Sequence, residues 1–216
     1  MRVFPKIGLV LFIFLQACSL TSYKYLAGYE TISYSGGYLS YQITPQSCEI
    51  FLDGKINEDL EAQLNRLLKK VELSDCPARW LLLKSSGGGV TSAMHMGQQL
   101  RDKNFNTQIK NAKCDSACGL LFISGAKRII SSQDMKHEAQ MGFHQLSVEY
   151  SPHIKACISY ENDVLYLAIN DYTTRMLNQK ASREYFIKMV KTDCQDINRV
   201  DSKVLFNQGI VTGFMR

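Results

Sequence analysis

The feature that most constrains the fold is a short apolar segment that runs directly into three consecutive glycines. Residues 80–83 read Trp-Leu-Leu-Leu, and residues 84–90 continue as Lys-Ser-Ser-Gly-Gly-Gly-Val. A strand that is apolar at every position is typical of a parallel sheet covered on both faces. Residues 91–102 then have a helical pattern. The order of strand, glycine turn and helix therefore predicts an α/β fold.

The alternation of strand and helix continues from residue 48 to the end of the chain. Asn57 is placed to cap a helix in which apolar residues recur on one face, at positions 60, 64, 67, 68 and 71. No linker-like break interrupts the pattern, so we expect one α/β domain over residues 48–216 with a mainly parallel sheet. We predict strands at 49–53, 80–83, 106–110, 127–131 and 141–145, and helices at 58–71, 91–102, 119–124, 160–177, 182–191 and 201–207.

The composition is that of a globular protein, with 45% hydrophobic and 21% charged residues. The formal net charge is only +5, and the basic residues are scattered along the chain. A dedicated nucleic-acid binder concentrates its basic residues on one surface. The composition therefore argues against nucleic acid as a partner.

The N-terminal segment predicts export. A basic start is followed by an apolar run at residues 7–15 that is too short to span a bilayer, and then by Gln-Ala-Cys at 16–18. A small residue directly before Cys18, with Leu15 three positions upstream, resembles the lipobox of bacterial lipoproteins. We expect residues 1–17 to be a lipoprotein signal peptide, Cys18 to be lipidated, and the protein to be anchored to a membrane in the bacterial periplasm. An ordinary secretory signal and an uncleaved anchor remain as alternatives, and both also export the chain.

Residues 18–47 would join this anchor to the domain. Residues 19–47 hold six of the eleven tyrosines, and Gly36-Gly37 separates two strand-like segments at 31–35 and 38–44. Paired glycines between such segments predict a β-hairpin. A lipid-anchored tether is an equally open interpretation of this tyrosine-rich region.

Six cysteines remain if Cys18 carries lipid, and export permits them to form disulfides. Cys48 and Cys76 each stand just before a predicted strand. If those strands are parallel neighbours, the two cysteines lie at the same sheet edge, so we predict a Cys48–Cys76 bridge. Cys114 and Cys118 have neither zinc nor Cys-x-x-Cys redox spacing, and we expect a structural or redox-sensitive disulfide there. The histidines at 95, 137 and 153 also lack metal-ligand spacing, so no metal site is predicted.

The triglycine turn lacks the residues of a phosphate-binding loop. Gly87 and Gly88 can instead present backbone N–H groups in a conformation that side chains forbid, which is what an oxyanion hole requires. A tight turn that simply needs glycine is the alternative.

Two residues could perform nucleophilic chemistry beside this turn. Ser116 lies at a strand-to-helix junction, and His144 lies on a predicted strand. A serine nucleophile needs a base, and that base needs an acid to hold its tautomer, for which Asp193 and Asp196 are candidates. The structural alternatives are a helix-capping serine and a structural histidine.

These segments together resemble the ClpP-type serine peptidases of the crotonase-like superfamily. The resemblance covers about residues 48–212 and rests on the glycine turn at 85–90, Cys-Asp-Ser-Ala-Cys at 114–118, Gly125-x-x-Arg128 and Gly142-Phe143-His144. It is closest to an exported branch with a Cys-x-Ser-Ala-Cys nucleophile segment. It implies a fold of repeated strand-helix units, with Ser116 as nucleophile, His144 as base, Asp196 as acid, and Gly87, Gly88 and the Ala117 N–H as oxyanion hole.

The sequence departs from the family pattern at several positions. Ser86 replaces the usual proline, and Asp196 is one residue out of register before a closing helix with Val204-Leu205 in place of an acid-Ala pair. A related class of signal-peptide-peptidase-like enzymes uses a Ser-Lys pair on the same fold, which keeps Lys127 as a second candidate base.

The sequence thus predicts an exported, lipid-anchored serine hydrolase, most simply a peptidase, that needs no metal or cofactor. The expected partners are a peptide or protein substrate and the membrane, and the resemblance also implies self-association. The rival interpretation is a non-catalytic binding or scaffold lipoprotein that keeps the fold with a damaged site.

Overall fold

The computed structural model describes residues 28–131, 139–151, 154–161 and 163–215. The predicted signal peptide, Cys18, His137 and His153 lie outside these residues. None of the helices in the described ranges has both the length and the apolar character that a bilayer crossing requires.

Twelve strands and six helices are formed within the described residues. The strands are β1 (Glu30–Tyr34), β2 (Gly37–Ile43), β3 (Cys48–Gly54), β4 (Arg79–Lys84), β5 (Asn106–Lys110), β6 (Lys113–Asp115), β7 (Arg128–Ser131), β8 (Gln140–Phe143), β9 (Ser147–Ser151), β10 (Ile154–Cys157), β11 (Asn198–Val200) and β12 (Gly213–Met215). The helices are α1 (Glu58–Glu72), α2 (Val90–Asp102), α3 (Ala117–Ile123), α4 (Val164–Met176), α5 (Gln179–Lys191) and α6 (Ser202–Asn207).

A seven-stranded sheet in the order β1-β2-β3-β4-β5-β7-β12 forms the centre of the molecule. Five neighbouring strands of this sheet, β3, β4, β5, β7 and β12, pair in parallel. This confirms the predicted α/β fold with a mainly parallel sheet. Ser35-Gly36 forms the turn of the β1–β2 hairpin, with Gly37 as the first residue of β2, and β2 pairs with β3 along its full length. The hairpin is therefore part of the central sheet.

Helix α1 is the crossover between β3 and β4. The Asn57 side chain accepts a hydrogen bond of 2.8 Å from the Leu60 N–H, which is the predicted cap. The apolar face of the helix is buried against the sheet, and each leucine so buried contributes about 1.5–3 kcal/mol. The Cys48–Cys76 disulfide is confirmed, because β3 and β4 are parallel neighbours and both cysteines lie at their amino-terminal ends.

A separate three-stranded sheet, in the order β11-β8-β6, stands beside the central one. Strands β6 and β8 are parallel, with Cys114 opposite Met141 and Asp115 opposite Gly142. A backbone β-bridge, in which Ser85 and Cys114 pair in parallel, joins this small sheet to the end of β4. The carboxyl ends of β4, β6 and β8 are thereby brought together.

Strand β8 is shorter than predicted. It ends at Phe143, two residues before the predicted end, because the Gln145 backbone N–H bonds the Thr192 carbonyl and its side chain bonds the Val190 carbonyl. His144 is consequently the first residue beyond the strand.

Candidate active site

Ser116 occupies a sharp turn between β6 and α3. Its backbone has φ 56° and ψ −127°, in the positive-φ region that non-glycine residues seldom adopt. Its N–H donates to the Gly142 carbonyl at 2.8 Å, and its carbonyl accepts from the Gly119 N–H at 2.8 Å. The side chain makes no capping hydrogen bond, so the structure does not support the helix-cap alternative. Strained residues of this kind are concentrated at functional sites.

The turn at Gly87 lies directly against Ser116. Gly87 has φ 94°, and a Cβ there would lie 2.8 Å from both the Asp115 carbonyl oxygen and the Ser116 Cβ. The Gly87 N–H donates to the buried Ser85 hydroxyl at 3.0 Å. Gly87 therefore allows the close approach of two backbones, and its amide is already engaged within the turn.

Two other amides near Ser116 are free to bind an anion. The Gly87 carbonyl and the Gly89 N–H both bond the backbone of Ile56, which directs the Gly88 N–H away from Ile56. No group in the described part of the chain accepts a hydrogen bond from the N–H of Gly88 or of Ala117, the first residue of α3. Unpaired amides beside a nucleophile are the elements of an oxyanion hole.

His144 follows directly on the end of β8 and is half-buried. Its Nδ1 lies 2.5 Å from the Gln145 carbonyl oxygen. Because a carbonyl oxygen only accepts, this contact requires a proton on Nδ1, and the neutral imidazole then has its lone pair on Nε2. This is the tautomer that a general base acting through Nε2 requires.

Ser116 and His144 line one pocket. The register of β6 against β8 explains this, since each residue follows one of two parallel neighbouring strands. No direct hydrogen bond joins the two side chains in this structure. The pocket is a small cleft that is partly open to solvent. The remaining lining residues are Val90, Ala117, Leu120, Gly142, Phe143, Leu146, Ile169, Tyr185 and Met189.

Neither candidate acid forms a hydrogen bond with His144, although their turn leads into β11, whose Asn198 pairs with Phe143. Asp193 and Asp196 are exposed in the turn that follows α5, where Cys194 is tied to Cys157 by a disulfide. The Asp193 carboxylate accepts the Gln195 N–H at 2.8 Å, and the Asp196 N–H donates to the Asp193 carbonyl. The partner of His144 Nδ1 is the Gln145 carbonyl and not a carboxylate.

Lys127 lies far from the pocket in the topology of the sheet. It is exposed just before β7, and its N–H bonds the side chain of Asn106 at the start of β5. This is the amino-terminal end of the parallel strands, whereas Ser116 lies beyond their carboxyl ends. The geometry therefore gives Lys127 no access to Ser116.

An ion pair that the sequence analysis missed fastens the serine turn. The Asp115 carboxylate is buried, and Arg199 of β11 donates two hydrogen bonds to it, at 3.2 and 2.8 Å. A Cβ at Gly142 would lie 2.2 Å from Asp115 Oδ1, so this glycine makes room for the carboxylate. Asp115 and Arg199 are 84 residues apart in the chain. The one signal in the sequence was an acidic residue, Asp115, within an otherwise apolar or small-residue segment.

A disulfide brackets the same turn. Cys114 and Cys118 are bonded, with 5.2 Å between their Cα atoms, and both are fully buried. This confirms a disulfide at the predicted pair. It closes a ring around Ser116 that joins β6 to the first turn of α3.

One group of potential metal ligands is present in the described residues, at Cys157, Asp193 and Cys194. The two cysteines form a disulfide, so their sulfurs are not available as thiolate ligands. The disulfide explains why these three residues lie close together.

No family profile matches the sequence, and no characterised protein matches it by sequence. Solved structures with a similar fold include the 1510-N membrane-bound stomatin-specific protease. Its lysine-to-alanine mutant in complex with a substrate peptide has 15% identity and a TM-score of 0.59, over 77% of this chain and 73% of that chain. Its serine-to-alanine mutant has 13% identity and a TM-score of 0.60, over 81% of this chain and 82% of that one.

An enoyl-CoA hydratase from Shewanella pealeana is also similar. It has 13% identity and a TM-score of 0.54, over 82% of this chain and 68% of the hydratase. At such identities the likeness concerns the fold alone, since one fold can support a protease and a hydratase. The chain thus shares a mixed α/β fold with these solved structures.

Proposed function

We propose that this protein is an exported, lipid-anchored serine hydrolase that cleaves peptides. The observation that carries the proposal is the strained Ser116 turn, which shares a pocket with His144 and is flanked by the unpaired amides of Gly88 and Ala117. A nucleophile, a base in the required tautomer and two anion-binding donors are the parts that acyl transfer needs.

In the proposed reaction, Ser116 Oγ attacks the carbonyl carbon of the scissile bond while His144 Nε2 takes its proton. The Gly88 and Ala117 N–H groups bind the oxyanion of the tetrahedral intermediate. His144 then gives the proton to the leaving amine, and water, deprotonated by the same nitrogen, releases the acyl group from Ser116. The Gln145 carbonyl holds Nδ1–H throughout, in the role that the resemblance gives to Asp196.

A peptide is the proposed substrate class because a solved structure with the same fold is a protease in complex with a substrate peptide. Lipid at Cys18, a periplasmic location and self-association are proposed from the sequence. Incorporation of labelled palmitate that is lost in Cys18→Ser tests the anchor, and retention of the label in that variant would overturn it.

A non-catalytic binding lipoprotein is the second candidate. It is favoured because, in the described structure, His144 forms a hydrogen bond neither with a carboxylate nor with Ser116. The fold and pocket would then be retained for binding alone.

Covalent labelling by a fluorophosphonate probe separates the two candidates. We expect the folded protein to be labelled, Ser116→Ala to be unlabelled, and His144→Ala to label about 100-fold more slowly because the base is lost. His95→Ala is the matched control, because His95 is exposed and pairs with Glu61 instead. A wild-type protein that is folded but unlabelled would favour the binding lipoprotein.

A further inference from the structure

Tyr185 of α5 brings a buried hydroxyl to the wall of the Ser116 pocket. The residue is 3% exposed, and its ring packs edge-on against Phe143 with 5.2 Å between the centroids. A Cβ at Gly119 would lie 2.6 Å from the Tyr185 oxygen. The hydroxyl therefore reaches the first turn of α3, three residues after Ser116.

This hydroxyl has no hydrogen-bond partner among the described residues. The hydroxyls of the two buried tyrosines of α4 do have partners. The Tyr172 hydroxyl donates to the Leu120 carbonyl at 3.0 Å, and the Tyr166 hydroxyl donates to the Ile158 carbonyl at 3.2 Å. The Tyr185 hydroxyl is therefore available to a ligand that enters the pocket.

The rest of the pocket restricts the partner to an uncharged group. Its described lining includes no lysine, arginine, aspartate or glutamate, and its walls are largely apolar, with Leu120, Leu146, Ile169 and Met189. A charge would be desolvated there without compensation. Burial also raises the pKa of Tyr185 far above its ordinary value, so the phenol stays neutral and can donate or accept.

We propose that Tyr185 determines specificity by hydrogen bonding the uncharged polar end of a substrate side chain. The pocket wall is largely apolar and carries one unpartnered hydroxyl, and glutamine combines an apolar stem with an amide at its end. The proposal rests on the proposed function, because it takes Ser116 as the group that attacks next to the bound residue. It goes further by naming the residue class that enters the pocket.

The test compares hydrolysis of three acetylated peptides, Ala-Ala-X-Ala-Ala, with X as glutamine, methionine or glutamate. Methionine has a similar length to glutamine without the amide, and glutamate adds a charge. We expect the full-length protein to favour glutamine. Tyr185→Phe should lower kcat/KM for the glutamine peptide about threefold to tenfold and leave the methionine peptide unchanged, because one hydrogen bond is lost and the ring is kept.

Tyr172→Phe is the matched control, because it removes a buried hydroxyl that already has a partner. It should lower the free energy of unfolding, whereas Tyr185→Phe should leave it unchanged or raise it. Tyr172→Phe should not change the ratio of kcat/KM between the glutamine and methionine peptides. Equal loss for both peptides in Tyr185→Phe, or no loss for either, would overturn the role of Tyr185.

A binding measurement separates failure of this inference from failure of the proposed function. The same peptides are titrated into Ser116→Ala and into Ser116→Ala/Tyr185→Phe, and heat of binding is recorded. Tighter binding of glutamine than of methionine that is lost in the double variant supports the Tyr185 contact even if the wild type hydrolyses nothing. Equal binding of both peptides to both variants contradicts it even if hydrolysis occurs.

Discussion

The seven-stranded and the three-stranded sheets of this protein are held together in different ways. In the large sheet, β3 and β4 place side chains such as Ile50, Leu52, Leu81 and Leu83 in a fully buried core. The small sheet consists of strands of three or four residues, and a buried ion pair and a disulfide link it to its surroundings.

This difference teaches which region carries the fold and which carries the site. Apolar burial in the large sheet is cooperative and tolerates small changes in position. The small sheet sets the position of Ser116 and His144, where a misplacement of about 1 Å can cost about 100-fold in rate. Specific cross-links are therefore concentrated next to Ser116.

The disulfides give the largest expected effects. Replacement of Cys48 and Cys76 by alanine opens a long loop in the large sheet and should lower the free energy of unfolding by about 3.5 kcal/mol, whereas loss of Cys114–Cys118 should cost about 2 kcal/mol. Fluorophosphonate labelling should persist in the first variant and fall in the second. Urea unfolding measures the free energies, and labelling rates measure the effect on Ser116. Faster labelling without Cys114–Cys118 than without Cys48–Cys76 would contradict the comparison.

The ion pair of the small sheet comes next. Arg199→Met leaves the buried Asp115 carboxylate unpaired and should cost about 3 kcal/mol, with slower labelling of Ser116. Asp115→Asn combined with Arg199→Met should recover much of that loss. Lys155→Met, which breaks an exposed pair with Glu149, is the control and should change the free energy of unfolding by less than about 0.5 kcal/mol. An Arg199→Met effect as small as this control would remove the argument that polar links hold the small sheet.

The glycine turn where the two sheets meet should show a graded response. Gly87 and Gly88 each have a positive φ and no room for a Cβ. Replacing either with alanine should lower the free energy of unfolding by about 2 kcal/mol and reduce labelling of Ser116. Gly89→Ala has a Cβ position with only ordinary contacts beyond 3.6 Å and should cost less than about 1 kcal/mol. Thermal unfolding and labelling of all three variants test this order, which equal losses would contradict.

The cap of α1 gives the smallest expected effect. Asn57→Ala removes the hydrogen bond to the Leu60 N–H and should lower the free energy of unfolding by about 1 kcal/mol. Because α1 belongs to the large sheet and does not line the Ser116 pocket, labelling should not change. A loss of labelling would show that the two regions are coupled more tightly than their contacts indicate.

The central fold was predictable because its signals are local. The apolar run of β4, the glycine turn and the periodic leucines of α1 each lie within about 15 residues, and they determine strand, turn and helix without distant partners. The strands β6, β9, β10, β11 and β12 were not predicted, because such short segments depend on pairing with other strands and carry no strand signal of their own.

Ser116, His144 and the glycine turn could be named from their motifs, but their arrangement could not be derived. Motif spacing says nothing about which strand lies beside which, and only the parallel pairing of β6 with β8 brings Ser116 and His144 to one pocket. The assignment of an acid depended on spacing alone, and in the folded chain Asp196 is exposed and makes no hydrogen bond with His144.

The sequence by itself therefore determined the α/β class, the mainly parallel sheet, the Cys48–Cys76 bridge and the residue types available for nucleophilic chemistry. The tertiary structure alone decided that Gln145 orients His144, that Asp115 pairs with Arg199, and that Tyr185, with an unpartnered hydroxyl, lines the same pocket as Ser116. The physical reason is that periodicity and turn chemistry act between near neighbours in the chain, whereas these contacts join residues whose proximity arises only when the sheets and helices pack.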